Sequence, residues 1–326
     1  MKVLVTGSNG FIGSTLVERL LDRGDRVYCL VRRTSDLTWL RYLPVEYVYA
    51  DLTDSEDLGR TVAEVERVYH LAGVTKARDE AGYLKGNYEA TRHLLTICKT
   101  WGAEELRFIH VSSQAAAGPS LAAQAVRETD PPRPVSLYGR AKLRAEEAVL
   151  EYARERYATI VRPPSVYGPR DRDVYVYFKS VAKGVLMLLG EGSQKISLVY
   201  IDDLVEGILL AGEADAARGK TYFLCADEPS DWRTIGALIA SALHKKPLVV
   251  RIPLWTLQPV AALSTLGSKF TGKPALLNRD KVTEMRQPGW VCSNQRARAE
   301  IGFRPRVSLE EGLAATAAWY KKMGWL

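Results

Sequence analysis

Cysteine is scarce and scattered in this chain. Cys29, Cys98, Cys225 and Cys292 are the four among 326 residues, none is in a C-x-x-C pair, and each is set in apolar sequence. That pattern argues against a disulfide framework and a thiolate metal site, leaving buried, reduced thiols of a cytosolic enzyme as the expectation, with no metal. No stretch reaches about 18 uninterrupted apolar residues, the length a spanning helix needs. Met1-Lys2 runs straight into an apolar strand pattern, which leaves no place for a signal peptide. A soluble, cytoplasmic protein without stable membrane insertion is expected. Lys and Arg number 45 against 38 acidic residues, a net charge of +7. No basic run with interleaved aromatics accompanies that excess, so no nucleic-acid partner is expected; a solvated surface and an anionic cofactor account for it. Internal repeats and low-complexity tracts are also missing.

What the chain does have is alternation. Short β-rich runs occur at 2–6, 26–31, 46–50, 67–71, 107–112, 158–162 and 221–224, with helix-like segments between most of them. Buried strands joined by helical crossovers predict an α/β fold with a parallel sheet covered on both faces. The length suits a nucleotide-binding domain plus a smaller lobe. The first is placed at 1–165, with returns to the sheet near 198–226. The second is discontinuous, at 166–197 and 227–326, where Pro and Gly clusters loosen the pattern. Two long amphipathic helices, 87–101 and 138–156, are expected to pack together and across a homodimer. The apolar segment 252–264 reads as a helix packed on its own lobe, with a pocket cap or a membrane-surface contact as alternatives.

Gly7, Gly10 and Gly13 follow the run Val3-Leu4-Val5 and open a helical pattern, with Phe11 and Ile12 between the last two glycines. Glycines there let the backbone turn sharply and approach a pyrophosphate, whose charge sits on the new helix's N–H groups. A nucleotide cofactor is the expected ligand.

Tyr138 and Lys142 are four residues apart, hence on one helix face. A phenol with a reference pKa of about 10 is a poor base at neutral pH, and a nearby cation favours its ionised form. Tyr175 and Lys179 share the spacing but follow the Gly168-Pro169 loop away from any strand end, and read as a helix surface pair. Tyr138 instead comes soon after the strand ending at Val111-Ser112-Ser113, where a parallel sheet presents residues to its cofactor crevice. Ser113 offers a hydroxyl for a substrate oxygen; Ser112 is the alternative, because alternation lets only one of the two face that way. Asn87 is read either as a helix N-cap or as part of a proton path.

These motifs occur in order with Asp51-Leu52, His70-Leu71-Ala72-Gly73, Arg162-Pro163-Pro164-Ser165-Val166-Tyr167-Gly168-Pro169 and Tyr200-Ile201-Asp202-Asp203. Together they resemble the extended short-chain dehydrogenase/reductase family, also described as the NAD-dependent epimerase/dehydratase family, over essentially the whole chain. The resemblance implies a Rossmann-type doubly wound sheet, a nicotinamide cofactor and hydride transfer assisted by Ser113, Tyr138 and Lys142. It further implies that Lys142 binds the nicotinamide ribose, Asp51 contacts the adenine, and Asn87 joins the hydrogen-bond chain. Leu52, Leu71, Ala72, Gly73, Pro163 and Ser165 would complete the cofactor contacts.

After the second strand, where a carboxylate would favour NAD(H), the chain has Arg32 and Arg33. Two guanidiniums suit the extra phosphate of NADP(H), so NADP(H) is favoured and NAD(H) is the alternative. Among the activities of the resembled family, 4,6-dehydration is disfavoured, because Gln114 and Ala115 stand where its Asp and Glu would be. The arginine that grips a sugar nucleotide's diphosphate is replaced by Ile196 in Ile196-Ser197-Leu198, and its C-terminal counterpart by the stretch Arg286-Gln287-Pro288-Gly289-Trp290. Lys195 or Arg286 are the possible substitutes. The expected activity is an alcohol/ketone oxidoreduction on a rather apolar small molecule, similar to the hydroxysteroid dehydrogenase and dihydroflavonol reductase branch. A nucleotide-sugar 4-epimerase is the alternative, and a non-catalytic NADP-binding regulator the third reading.

Overall fold

A computed structural model describes residues 1–52, 56–121, 124–261, 264 and 279–326. Its centre is a seven-stranded, wholly parallel sheet: β1 (Lys2–Thr6), β2 (Arg26–Val31), β3 (Glu46–Tyr49), β4 (Arg67–His70), β5 (Arg107–Val111), β6 (Tyr157–Arg162) and, from far along the chain, Thr221–Phe223. The spatial order runs from Thr221–Phe223 through β6, β5, β4 and β1 to β2 and β3. Strand order therefore reverses between β1 and β4, and ligands of open α/β sheets bind outside the strand ends at such a reversal. The register pairs Thr6 with both Leu30 and His70, so the C-terminal ends of β1, β2 and β4 lie side by side.

The central strands are aliphatic because both faces are covered. Val3 and Val5 face one core with α1 (Phe11–Asp22); Leu4, on the opposite face, joins Leu58, Val62, Leu94 and Phe108 in the other. Strand limits agree with the sequence expectation to within a residue at each end. The helices differ more. The run expected to begin at Asn87 starts at Glu80, after Asp79 has accepted a hydrogen bond from the Gly82 N–H, and passes through a π-helical turn (Leu84–Glu89) into Ala90–Trp101. Asn87 is thus inside the helix, and the N-cap reading is corrected: Asp79 is the capping residue. After α2 (Glu56–Glu64), α3 (Glu80–Tyr83), α4 (Ala90–Trp101) and the short α5 (Gln114–Ala117), the long helix α6 (Leu137–Tyr152) is capped by Ser136, whose hydroxyl accepts from the Gly139 N–H at 3.0 Å.

Among the described residues, three smaller sheets lie outside the main one. Leu198–Tyr200 pairs with Ser165–Tyr167; Lys195–Ile196 lies between Ser230–Asp231 and Gly289–Trp290; and Val185–Leu189 pairs in parallel with Leu248–Ile252. The four cysteines are free and buried. Among the described residues, no helix is long and apolar enough to cross a membrane.

Candidate active site

The glycine turn is shaped by close backbone approach. Gly7 has φ +67°, and a Cβ there would stand 2.8 Å from the Ala72 nitrogen. At Gly13 a Cβ would stand 2.1 Å from the Gly7 carbonyl oxygen, so a side chain at either position would push β1, α1 and the loop after β4 apart. Gly10 is the N-cap of α1, and no side chain caps that helix. Its free N–H groups and positive dipole end, reached over a surface of glycines, fit a dinucleotide pyrophosphate. Phe11 and Ile12 in the first turn pack partly against the core.

The other expected cofactor residues border the same sheet edge. Arg32 and Arg33 are exposed just beyond β2, with the Arg33 guanidinium 5.7 Å from the Tyr49 ring centre. Asp51, exposed, and Leu52, packed on the core, follow β3. Leu71, Ala72 and Gly73 follow β4, and the Ala72 N–H donates to Thr6 Oγ1 at 3.1 Å. Pro163 is buried and its carbonyl accepts from the Gln114 N–H at 2.9 Å, whereas Ser165 is exposed.

Two ambiguities of the sequence are resolved here. Ser112 turns away from the crevice and donates to Glu146, while Ser113 accepts from the Ala115 N–H at 3.1 Å and stands close enough to Tyr138 to act on its phenol. Asn87 is buried and clamps the loop after Gly73: its amide donates to the carbonyls of Val74 and Tyr83, and its Oδ1 accepts from the Val74 N–H at 3.1 Å. A Cβ on Gly73 would lie 2.7 Å from that Oδ1 and 3.9 Å from Lys142 Nζ, so loop, amide and ammonium converge at one point.

The electrostatics depart from the sequence expectation in one respect. Burial pushes the Tyr138 phenol up to about 12; the nearby Ser113 side chain pulls the other way, and the charge of Glu284 adds to the rise. Lys142 is itself buried, which lowers it to about 8, and its ammonium donates to the Val111 carbonyl at 2.9 Å. In this state desolvation outweighs any help from the neighbouring cation, and the phenol is raised rather than lowered. The Tyr175 and Lys179 pair is elsewhere: Tyr175 packs edge-on against Tyr320 and Trp325, with Lys179 over its ring. The pair lies on the helix Tyr175–Ala182 as expected, with Lys179 exposed, and the Tyr175 ring is half-buried in an aromatic cluster.

Three supports were not anticipated. Thr6 Oγ1 meets His70 Nδ1 at 2.7 Å, His70 Nε2 meets Thr91 Oγ1 at 2.9 Å, and Thr91 donates to the Asn87 carbonyl at 2.6 Å. Because Thr91 spends its proton on that carbonyl, His70 donates from Nε2 and accepts at Nδ1 from Thr6. Under α6, Glu146 accepts from Ser112 and from Arg162 through both Nε and Nη2, all three residues being buried. Asp280, from the helix Arg279–Met285, accepts from the Leu137 N–H at 2.7 Å and fastens that helix to the start of α6. The pair Glu146 and Lys142 had a signal, since their four-residue spacing puts both on the Tyr138 face. Asp280 had none, being 143 positions from Leu137.

Known proteins resemble the chain along its whole length. The family model for the NAD dependent epimerase/dehydratase family matches residues 3–225. A ceramide reductase of Caulobacter vibrioides is 30% identical over 331 residues, covering 99% of this chain and 96% of its own. A 2-alkyl-3-oxoalkanoate reductase of Stenotrophomonas maltophilia is 30% identical over 329 residues, covering 96% and 97%. Among solved structures, a UDP-glucose 4-epimerase of Thermotoga maritima bound to UDP-glucose superposes with a TM-score of 0.82 at 25% identity, covering 99% of both chains. With the glycine cradle, the reversal of strand order and these matches together, the chain belongs to the NAD-dependent epimerase/dehydratase family and is an enzyme of that family.

Proposed function

We propose that this protein is an NADP(H)-favouring ketone/alcohol oxidoreductase acting on a rather apolar small molecule. The observation that carries the reading is the seating of Lys142 against the end of β5, its ammonium on the Val111 carbonyl at 2.9 Å, which sets Tyr138, one helical turn earlier, beside Ser113 near the reversal of strand order. A bound nicotinamide supplies or accepts the hydride. In the reducing direction Tyr138 Oη gives its proton to the substrate oxygen, and Ser113 Oγ–H donates a second hydrogen bond to that oxygen. Lys142 holds the ribose side of the cofactor, and Asn87 keeps the loop through Val74 in place. Arg32 and Arg33 would face the 2′-phosphate that distinguishes NADP. The segments 166–197 and 227–326 would form the substrate lobe.

The apolar substrate is supported by what became of the diphosphate positions. Ile196 is buried in the core, and Lys195, the nearest replacement cation, is engaged by Asp231 at 2.9 Å. The names of the two reductase relatives point the same way. The likeness to the Thermotoga epimerase favours a second reading, a nucleotide-sugar 4-epimerase, which would use the same residues without net cofactor turnover. Tyr138→Phe tests the site: NADPH oxidation with an accepted ketone should fall about 10²- to 10⁴-fold while NADPH affinity is kept. Activity within a few-fold of wild type refutes the assignment. NADPH should bind more tightly than NADH, the preference shrinking in Arg32→Ala and Arg33→Ala; equal binding by the wild type overturns the cofactor choice. UDP-sugars converted with constant NADPH absorbance would promote the epimerase.

A further inference from the structure

The parallel pair Val185–Leu189 and Leu248–Ile252 stands apart from the main sheet; the first strand supplies Leu186 and Leu188 to the core, whereas the second is exposed along its length apart from a half-buried Ile252. Leu186 and Leu188 point inward and are buried, Leu186 so close to Gly236 that a Cβ there would collide with it. Strand alternation and the register then place Val185 and Met187 on the opposite face beside Leu248 and Val250, while Leu189, next to Ile252, packs partly against Leu257, Ala261 and Val282. These four positions are apolar, where a half-solvated ribbon ordinarily alternates to polar residues, and Val249 beside them is 48% exposed as well. Leu248 is 70% exposed, and the turn that follows presents Leu254 and a Trp255 that is 75% exposed. Leu257 and Ala261, by contrast, turn inward onto Val282, so the segment 252–264, expected as a helix packed on its own lobe, has both a buried and an open side over its described part, residues 262 and 263 lying outside the described residues.

The surrounding charge selects the occupant. On these two strands and the turns that flank them the charged residues are Lys183, Lys245, Lys246, Arg251 and Glu191, with His244 beside Lys245. Glu191 is engaged by Arg233 at 2.8 Å and by Arg251 at 3.6 Å. Lys245 and Lys246 are exposed at the start of the second strand. Two copies laid face to face would set like charges near one another, whereas a negatively charged lipid surface neutralises them. Aliphatic side chains and a Trp indole beside lysines are the chemistry that lies at a lipid–water boundary.

We propose that this face docks the enzyme peripherally on an anionic membrane surface, with Leu248, Val250, Leu254 and Trp255 entering the boundary layer and Lys245 and Lys246 meeting lipid phosphates. Nothing in this requires the substrate class argued above, and the two can fail separately.

Flotation of the full chain with vesicles tests it. The wild type should float with vesicles of equal parts phosphatidylcholine and phosphatidylglycerol and remain below with phosphatidylcholine alone. Val250→Ser with Trp255→Ser should weaken binding by roughly tenfold or more, and Lys245→Glu with Lys246→Glu should abolish the preference for anionic lipid. Circular dichroism and NADPH affinity, unchanged from wild type, show that each variant is folded. Wild type that does not float with the anionic vesicles, or variants that float as well as wild type, overturn the proposal. So does a particle mass in light scattering that halves in Val250→Ser, because a second copy then covers the face.

Discussion

Beneath Tyr138 two buried networks hold the site, and they are built from different chemistry. On the side of the loop after β4, Thr6, His70 and Thr91 form a neutral chain in which each proton has one acceptor, ending on the Asn87 carbonyl. On the side of α6, Ser112, Glu146 and Arg162 form a charged one, with a bidentate guanidinium–carboxylate contact and the Arg162 guanidinium 5.5 Å from the Phe223 ring centre. The neutral chain fixes the loop that crosses the reversal of strand order. The charged one fixes the helix that carries Tyr138 and Lys142. Removing a neutral member leaves unsatisfied groups, at a cost of about 1–3 kcal/mol each. Removing one charged member strands its partner's charge, which costs about 3–5 kcal/mol.

The contrast is broken most severely at Glu146. Glu146→Gln should lower stability by about 3–5 kcal/mol in chemical denaturation, because Arg162 keeps its charge in a buried site. The double substitution Glu146→Leu with Arg162→Met should recover much of that loss; no recovery would mean that the pair acts by more than mutual neutralisation. Glu146 also raises the Lys142 pKa through its charge. If Lys142 must be cationic to hold the ribose, kcat/KM should decline above about pH 8 in the wild type. That limb should move to lower pH in Glu146→Gln, a shift that weakened packing alone does not produce.

The neutral chain is exposed by acid. Burial lowers His70 to about 3, and holds His110, whose ring centre is 5.3 Å away, well below its ordinary value. Between the unfolded value near 6.5 and the folded one, the unfolded chain binds protons that the native protein does not. Stability is therefore full above pH 6.5 and is lost as pH falls toward 3, by about 1.4 kcal/mol per pH unit for each histidine. Thermal unfolding between pH 7 and 5 measures the slope, and His110→Phe should halve the part due to these two. An unchanged slope would show that carboxylates dominate the acid limb.

The same contrast separates what could be read in advance from what could not. The parallel sheet was legible because its strands are short aliphatic runs at crossover spacing. The glycine cradle was legible because three glycines between a strand and a helix mark a backbone that turns sharply and leaves room for a phosphate. Distance from a strand end separated Tyr138 from Tyr175 in the sequence, and the structure places Tyr175 in an aromatic cluster. Hidden was everything decided by contact across the chain: which of Ser112 and Ser113 faces the crevice, the clamp made by Asn87, and the anchoring of α6 by Asp280. A sequence also carries no sign of desolvation. The spacing of Tyr138 and Lys142 pointed to a cation easing a phenol's ionisation, whereas burial of both groups pushes the phenol up and the ammonium down. The outer ribbon at 185–189 and 248–252 escaped because its exposure follows from a pairing that joins segments 63 positions apart.

The smallest effect is expected at the second tyrosine of the same spacing, and it tests whether location alone separates the two. Tyr175 donates its hydroxyl proton to the Trp325 carbonyl, and its ring centre lies 5.1 Å from that of Tyr320 and 5.2 Å from that of Trp325. Tyr175→Phe keeps the ring contacts and loses one hydrogen bond. The loss should be about 0.5–1.5 kcal/mol of stability, with ketone reduction within a few-fold of wild type. Lys179 is exposed above that ring, so Lys179→Met should be nearly silent in both measurements, whereas Lys142→Met should raise the KM for NADPH. Were Tyr175→Phe to lower the rate as far as Tyr138→Phe, position at the sheet edge would no longer identify the acid, and the role given to Tyr138 would have to be shared with the aromatic cluster at the chain's end.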